Sequence, residues 1–389
     1  MSSSLDKDQF KICILTSVHP PFDHRIFYKE AKTLIKAGYN VVLIAQHSQE
    51  ETVDGVRIVP LPTPKNRFER MTKVVWKLFK LALKEKADVY HFHDLELIPS
   101  GLFLKILGKQ VIYDIHEDFP EVTSTREWLP KFLRKPLKII IRYVEKFAFI
   151  FFDGLVFTTE GHVKKSGNTD RKQVVLYNYP SINVISSIPL DSVKKYDLVH
   201  LGTIHTWRMR FMLKVGEAVK KTRPDFSWIF IGIDKDTIEW AEENMPPELK
   251  ENYVFIQKRT YFEALALTSQ AKIGFSYHPP GSRFEVLIPV KVFEYMALGL
   301  PIVSANMDEL SKLLSSYNEK IGFLISENTP DRFAEKIEIL LSSEDKARDM
   351  GKFNQELCQS HFNWSGEASK LIKFYEEVLN DRKKVNNKC

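Results

Sequence analysis

One carboxylate, Glu294, stands in an otherwise apolar segment, Ile288 to Asn306 (IPVKVFEYMALGLPIVSAN). Pro289 predicts a helix start, and Gly299 with Pro301 its stop. On that helix Lys291, Glu294, Tyr295 and Leu298 share one stripe, while Val292, Phe293, Met296 and Leu300 form the apolar one. Two chemistries fit such an acid. One is a surface ion pair with Lys291 three residues back. The other is a charged acceptor that takes two hydrogen bonds from a ribose diol and fixes its orientation. A second polar set, HFHD (91–94), places His91 and His93 on one side of a strand, as metal ligands require. A zinc site needs three or four converging ligands, and no further partner stands out in the sequence, so no metal is expected there. The triplet DKD at 234–236 has the form of a cation-binding D-x-D, but the same triplet at 6–8 shows how cheap that pattern is. No Ser-His-Asp or Cys-His arrangement is evident for nucleophilic catalysis.

The elements that must position these residues follow from length and periodicity. A chain of 389 residues exceeds one ordinary core, and two domains are the natural expectation. Buried strands are predicted at 11–17, 40–46, 88–94 and 110–116, with helices between, including one at 26–37 closed by Gly38. The rhythm restarts with strands at 196–202, 227–233, 252–257, 271–277 and 301–306, and helices at 209–221 and 236–244. This is an α/β pattern of two Rossmann-like domains with parallel sheets facing across a cleft. The expected division is 1–185, 186–364 and a closing segment 365–389 whose helix packs back on the first domain. Ligands of such sheets bind where strands end, and the candidate residues fall there.

Several long motifs in order make the chain resemble the retaining glycosyltransferases of family 4, which have the GT-B fold. PVKVFEYMALGLPIV is similar to that family's donor-site helix; HFHDLELIPSGL and IYDIHEDFP resemble its N-domain strand ends; HLGTIHTWR resembles its phosphate loop; NWSGEASKLIKFYEEVL resembles its closing segment. The resemblance implies that Glu294 grips the nucleotide ribose of a UDP- or GDP-sugar, with Lys291 and Tyr295 beside it. It implies that Gly202, Thr203 and Arg208 surround the diphosphate, with Arg208 offsetting its charge. The family's first cation in this loop is Thr203 here, leaving Arg210 or Lys291 to compensate. A second glutamate of the family, eight residues before Glu294, is Val286; Glu285 is adjacent and serves only if the loop shifts register. The loop 277–288 is expected to shape the sugar pocket, with Gly281 allowing close backbone approach. The resemblance places His116 near the transferred sugar; the competing account is a structural strand-end histidine. His93, Asp94 and Glu117 fall with it on the acceptor side.

In TSVHPPFDHRIF (16–27), His19, Asp23 and Arg25 replace a common glycine-rich loop. Arg25 is expected to meet a phosphate, oriented by Asp23, or else to form a structural bridge with it. Transfer with retention implies that the donor phosphate itself takes the acceptor's proton, without metal or cofactor.

Two segments, 65–86 and 128–152, mix lysine and arginine with Trp76, Phe79, Trp128, Phe132 and Phe147 to Phe152. Such helices lie in the headgroup layer of anionic membranes, or else pack into the core with solvated lysines. The first reading implies a polyprenyl-diphosphate-linked glycan acceptor in cell-surface polysaccharide biosynthesis. The expected location is cytoplasmic, peripheral on the inner face of the membrane. The net charge of +6 suits an anionic partner, but no nucleic-acid-binding signature appears. Three cysteines at unrelated spacings give no disulfide framework. Two other classes remain open on this fold: a nucleotide-sugar 2-epimerase and a non-catalytic membrane-surface scaffold.

Overall fold

The computed structural model describes residues 7–126, 129–167, 169–189, 193–281 and 284–386, without the side chains of Thr125 and 381–386. Trp128, Ser282, Arg283 and Cys389 lie outside the described residues. Two compact units result: residues 1–178 with 365–389, and residues 179–364. The break therefore follows Asn178 rather than residue 185, because the short helix Ile182–Ser186 belongs with the second unit.

The first unit is built on eight strands: β1 (Lys11–Leu15), β2 (Asn40–Gln46), β3 (Glu51–Val53), β4 (Val56–Leu61), β5 (Val89–Phe92), β6 (Gln110–Ile115), β7 (Gly154–Phe157) and β8 (Lys172–Val175). Their order is β3-β4-β2-β1-β5-β6-β7-β8, parallel except for the β3–β4 hairpin. Asp54 and Gly55 turn that hairpin with φ of 50° and 83°, the double positive φ of a type I′ turn. The central strands β1, β2 and β5 are almost wholly buried, as expected where helices cover both faces. β1 is followed by β2 on one side, whereas β5 returns on the other, so the switch point lies between β1 and β5. Helices α1 (Lys32–Lys36, preceded by a π-helical turn Ile26–Ala31), α2 (Val75–Glu85), α3 (Ile98–Ile106) and α4 (Lys131–Phe149) pack on the sheet. Phe92, Tyr113, Phe149 and Phe152 knit the core between them.

The second unit carries β9 (Tyr196–Leu201), β10 (Trp228–Ile231), β11 (Tyr253–Ile256), β12 (Ala271–Ser276), β13 (Ile302–Ala305) and β14 (Gly322–Ile325), all parallel in the order β11-β10-β9-β12-β13-β14. Its switch point falls between β9 and β12. Helix α5 (Thr206–Lys220) leaves the end of β9, α6 (Tyr261–Ser269) precedes β12, and α7 (Val290–Ala297) follows it. Pro289 sits at the start of α7, and Gly299 ends it at φ 75°. The helix is pressed onto β12 at Gly274, where a Cβ would lie 2.3 Å from the Tyr295 ring. Only glycine allows that approach. The chain closes with α8 (Trp364–Asn386), whose Phe374 covers Gly154 of β7.

Candidate active site

At the switch point of the second unit, three predicted residues come together. Arg208, third in α5, and Glu294, in the middle of α7, are 7% and 6% exposed. Lys291, in the first turn of α7, is largely buried, and its Nζ lies 3.2 Å from His200 Nε2 at the end of β9. Burial first, then the neighbouring Arg208 charge, holds the Lys291 ammonium well below its ordinary range, while Glu294 partly offsets both. Burial and the same two cations push His200 well down, so its imidazole is neutral. Glu294 accepts a hydrogen bond from the Tyr261 hydroxyl at the start of α6; burial and this carboxylate raise the Tyr261 pKa well above its usual value. The set is thus one arginine cation, one carboxylate and one lysine that burial disposes to lose its proton, at low dielectric. A bound polyanion favours the charged lysine, and the carboxylate is aligned by a hydroxyl.

The glycine at the strand end makes room. Gly202 has φ 91°, and a Cβ there would stand 3.8 Å from Lys291 Nζ. Thr203 is exposed and brings no charge. Arg210 is exposed and turns outward over the Trp240 ring, 5.5 Å from its centroid, which leaves Lys291 as the basic residue beside Gly202.

Two donor-side expectations change. Tyr295 is fully buried: its hydroxyl accepts from Leu201 N at 2.8 Å and donates to Phe275 O at 3.2 Å, tying β9 to β12 under the site. Glu285 is exposed while Val286, at the position of the family's second glutamate, is buried. Glu294 is no surface partner of Lys291, because both are drawn inward. Gly281, at φ 144°, has open space around it.

In the first unit the candidates divide by depth. Around the β1/β5 switch point, His19 sits with Nδ1 3.5 Å from Asp23 Oδ2 and Nε2 3.6 Å from Asp94 Oδ1. Burial opposes its charge, yet the Asp23 hydrogen bond and Asp94 outweigh it and raise the His19 pKa. The His116 ring lies tilted beside it, with centroids 5.6 Å apart, and Glu117 is exposed. These three face outward at the sheet's carboxyl edge.

Arg25, His93 and Asp94 do not. Arg25 is 2% exposed and donates from Nη2 to Asp114 Oδ2 at 3.0 Å and from Nη1 to Leu176 O at 3.1 Å. The expected phosphate contact and the expected Asp23–Arg25 bridge both give way to this pair with Asp114, 89 residues later. Asp23 instead caps the backbone, accepting from Arg25 N at 2.8 Å and Ile26 N at 3.0 Å. Asp94 holds the loop after β1, accepting from Ser17 N at 2.6 Å and Thr16 Oγ1 at 2.9 Å. His93 is sealed beneath His116, with its Nδ1 3.0 Å from His116 Nε2.

Beside Glu117 lies a shallow pocket lined by Ile115, Arg142, Glu145, Lys146 and Lys165. Burial pushes the Glu145 carboxyl up to about 8, opposed by a hydrogen bond from the Tyr113 hydroxyl at 3.2 Å. Sequence reasoning missed Glu145, Tyr261 and His200. Only His200, at a strand end beside a glycine, carried a local signal.

Two Rossmann-like units, each with its polar residues at the switch point of a parallel sheet, are the architecture of the GT-B glycosyltransferases. Comparison with known proteins agrees: residues 24–178 match the family model Glycosyltransferase Family 4, and residues 200–357 match Glycosyl transferases group 1. With one match on each unit, the chain is a member of the GT-B glycosyltransferases. It is similar to sucrose-phosphate synthase from Thermosynechococcus elongatus (TM-score 0.73, 17% identity, covering 95% of this chain and 99% of that one). It is also similar to HepE from Anabaena, solved in complex with UDP and glucose (TM-score 0.71, 13% identity, 95% and 100% covered). Spore coat protein SA of Bacillus subtilis (strain 168) is 34% identical over 86 residues, 22% of each chain.

Proposed function

We propose that the protein is a retaining glycosyltransferase that takes a sugar from a UDP- or GDP-sugar without a metal on the diphosphate. The observation that carries this is the cluster of Arg208, Lys291 and Glu294. The two cations neutralise the departing diphosphate in place of a metal ion, the chief electrostatic demand of the transfer. Glu294 receives the ribose hydroxyls. That HepE is solved with UDP and with UDP-glucose supports a uridine nucleotide as the first donor to try. The donor phosphate oxygen accepts the acceptor's proton on the face from which the nucleotide leaves, so positioning replaces a dedicated base. His19, His116 and Glu117 of the first unit bind the acceptor.

The acceptor is a polyprenyl-diphosphate-linked glycan of cell-surface polysaccharide synthesis, met at the inner face of the cytoplasmic membrane. An exposed apolar stripe supports this reading. Along α4, Phe132, Ile139, Ile140, Tyr143, Val144 and Phe147 are 44–76% exposed, and the last five share a face through 139/143, 140/144 and 143/147 spacings. Neighbouring α2 and α3 add exposed Trp76, Phe103 and Ile106. Core packing takes Leu78, Phe79 and Phe149 of these helices but does not account for the exposed set. Lys138 and Arg142 both pair with Glu121, so the apolar stripe carries more of the attachment than their charges. None of the described helices is long and apolar enough to cross a membrane.

The test is incubation with a panel of nucleotide sugars, with and without extracted lipid-linked glycans. Transfer with retained anomeric configuration, seen by NMR of the product, is expected. Conversion of donor alone to its 2-epimer would replace this reading with the epimerase, and absence of nucleotide binding with the scaffold.

A further inference from the structure

Beneath His93 lies a group of side chains that the transfer reaction leaves unused. His91 of β5 and His93, the residue just past its end, face the same way, with ring centroids 4.7 Å apart. Glu30, from the π-helical turn before α1, and Asp114, from β6, meet them from two other elements. One ligand-capable atom from each of the four residues lies within 4.8 Å of all the others. All four residues are fully buried or nearly so.

The hydrogen-bonding pattern is what a ligand set requires. In each imidazole Nδ1 is engaged: that of His91 lies 2.8 Å from the Tyr375 hydroxyl, that of His93 3.0 Å from His116 Nε2. In each, Nε2 has no hydrogen-bond partner among the described residues, and neither Glu30 oxygen has one. His93 Nε2 stands 3.6 Å from Glu30 Oε2, and His91 Nε2 3.8 Å from Asp114 Oδ2. These gaps are too long for hydrogen bonds. A tetrahedral ion with bonds of about 2.1 Å has ligand–ligand edges of about 3.4 Å, so those two edges need to contract by only a few tenths of an ångström.

Arg25 is the competing occupant, and it does not complete the site. It carries one positive charge against two carboxylates. Its guanidinium hydrogen-bonds Asp114, while its Nε stands 2.9 Å from Glu30 Oε1 without hydrogen-bond geometry. One negative charge and two imidazole nitrogens remain. A proton on Glu30 would settle the charge but leave both nitrogens unsatisfied, whereas a cation takes a lone pair from each. In that arrangement Arg25, Tyr375 and His116 are the outer partners that ligating carboxylates and histidines ordinarily have.

We propose that Glu30, His91, His93 and Asp114 bind one divalent cation of the zinc class, as a closed structural site inside the first unit. All four ligands come from the protein, and burial leaves no open position for substrate. The site ties β5, β6 and the turn before α1 together, and through Tyr375 it anchors α8. The absence of a partner set in the sequence around HFHD is thus repaired by residues 61 and 23 positions away from His91.

The test uses the full chain, stripped with chelator and titrated with Co²⁺ and Zn²⁺. We expect one equivalent of Co²⁺ to bind with the intense visible bands of a tetrahedral site, and Zn²⁺ to displace it and raise the melting temperature. Glu30→Gln and His93→Gln should weaken Co²⁺ binding by at least the ~10–100-fold typical of lost outer partners. Tyr375→Phe, which keeps the ring in place, should weaken it within that range and keeps the test decisive if the ligand variants fail to fold. Identical melting of the stripped and zinc-loaded chain would overturn the proposal. So would Co²⁺ affinity unchanged in Glu30→Gln or Tyr375→Phe, which would place the metal elsewhere.

Discussion

Replacing Glu294 by glutamine keeps the shape of the side chain and removes its charge. A hydrogen bond to a charged acceptor contributes about 1.5–3 kcal/mol, so two ribose hydroxyls bound to Glu294 supply about 3–6 kcal/mol before costs. The Tyr261 hydroxyl already occupies this carboxylate in the free protein. Giving up or sharing that bond returns about 1.5–3 kcal/mol, which leaves a net contribution near 1.5–3 kcal/mol. At about 1.4 kcal/mol per decade, Glu294→Gln should raise the Kd for UDP roughly 10- to 150-fold. Removing the charge also disturbs Lys291, so the ribose contribution must be isolated. Calorimetric titration with UDP and with its 2′,3′-dideoxy analogue does this. The wild-type chain should discriminate between the two ligands, and the variant should not. Equal weakening of both ligands by the substitution, or of neither, would refute the ribose assignment.

The depressed Lys291 pKa has a consequence for binding. A diphosphate favours the charged ammonium, so UDP affinity should be highest below the free-state pKa and fall about tenfold per pH unit above it. Proton uptake, read by titration in buffers of different ionisation enthalpy, should vanish in Lys291→Gln. Arg25→Met strands two buried carboxylates and should cost about 3–5 kcal/mol of stability in denaturant unfolding, while UDP affinity in the still-folded protein stays unchanged. For Glu145 the folded pKa of about 8 lies above its unfolded value near 4.5. The folded state therefore holds the extra proton between those values, and stability falls by about 1.4 kcal/mol per unit as pH rises through that window. Comparing Glu145→Gln with wild type across pH 5–8 should show that slope lost. Ile140→Glu with Phe147→Glu should remove retention by anionic vesicles in co-sedimentation, since burying each apolar side chain contributes about 1.5–3 kcal/mol. Unchanged retention would mean that the stripe is not the attachment surface.

Much of the architecture was written locally. Continuous apolar runs such as KICIL and NVVLIAQ must be strands covered on both faces, and their alternation with amphipathic helices admits few arrangements other than parallel sheets. Pro289 and Gly299 bound α7 through their own backbone preferences. Resemblance of HLGTIHTWR and PVKVFEYMALGLPIV to a family's phosphate loop and donor-site helix pointed to Arg208, Lys291 and Glu294, and all three lie at the switch point of the second sheet. The hairpin at Asp54-Gly55 was equally local, yet its strands, three and six residues long, went unassigned beside the longer runs. The short β7, β8 and β14 were passed over as well.

Depth and partnership were decided elsewhere. Nothing near Arg25 announces Asp114, nothing near Glu294 announces Tyr261, and nothing in HFHD announces Glu30. These pairs exist because strand order brings β1, β5 and β6 side by side and sets α6 against α7. A charged residue at a strand end has the same sequence signature whether it meets solvent or a buried counter-charge. Which of the two it meets depends on neighbours tens of residues away, and those are fixed only when the sheets assemble.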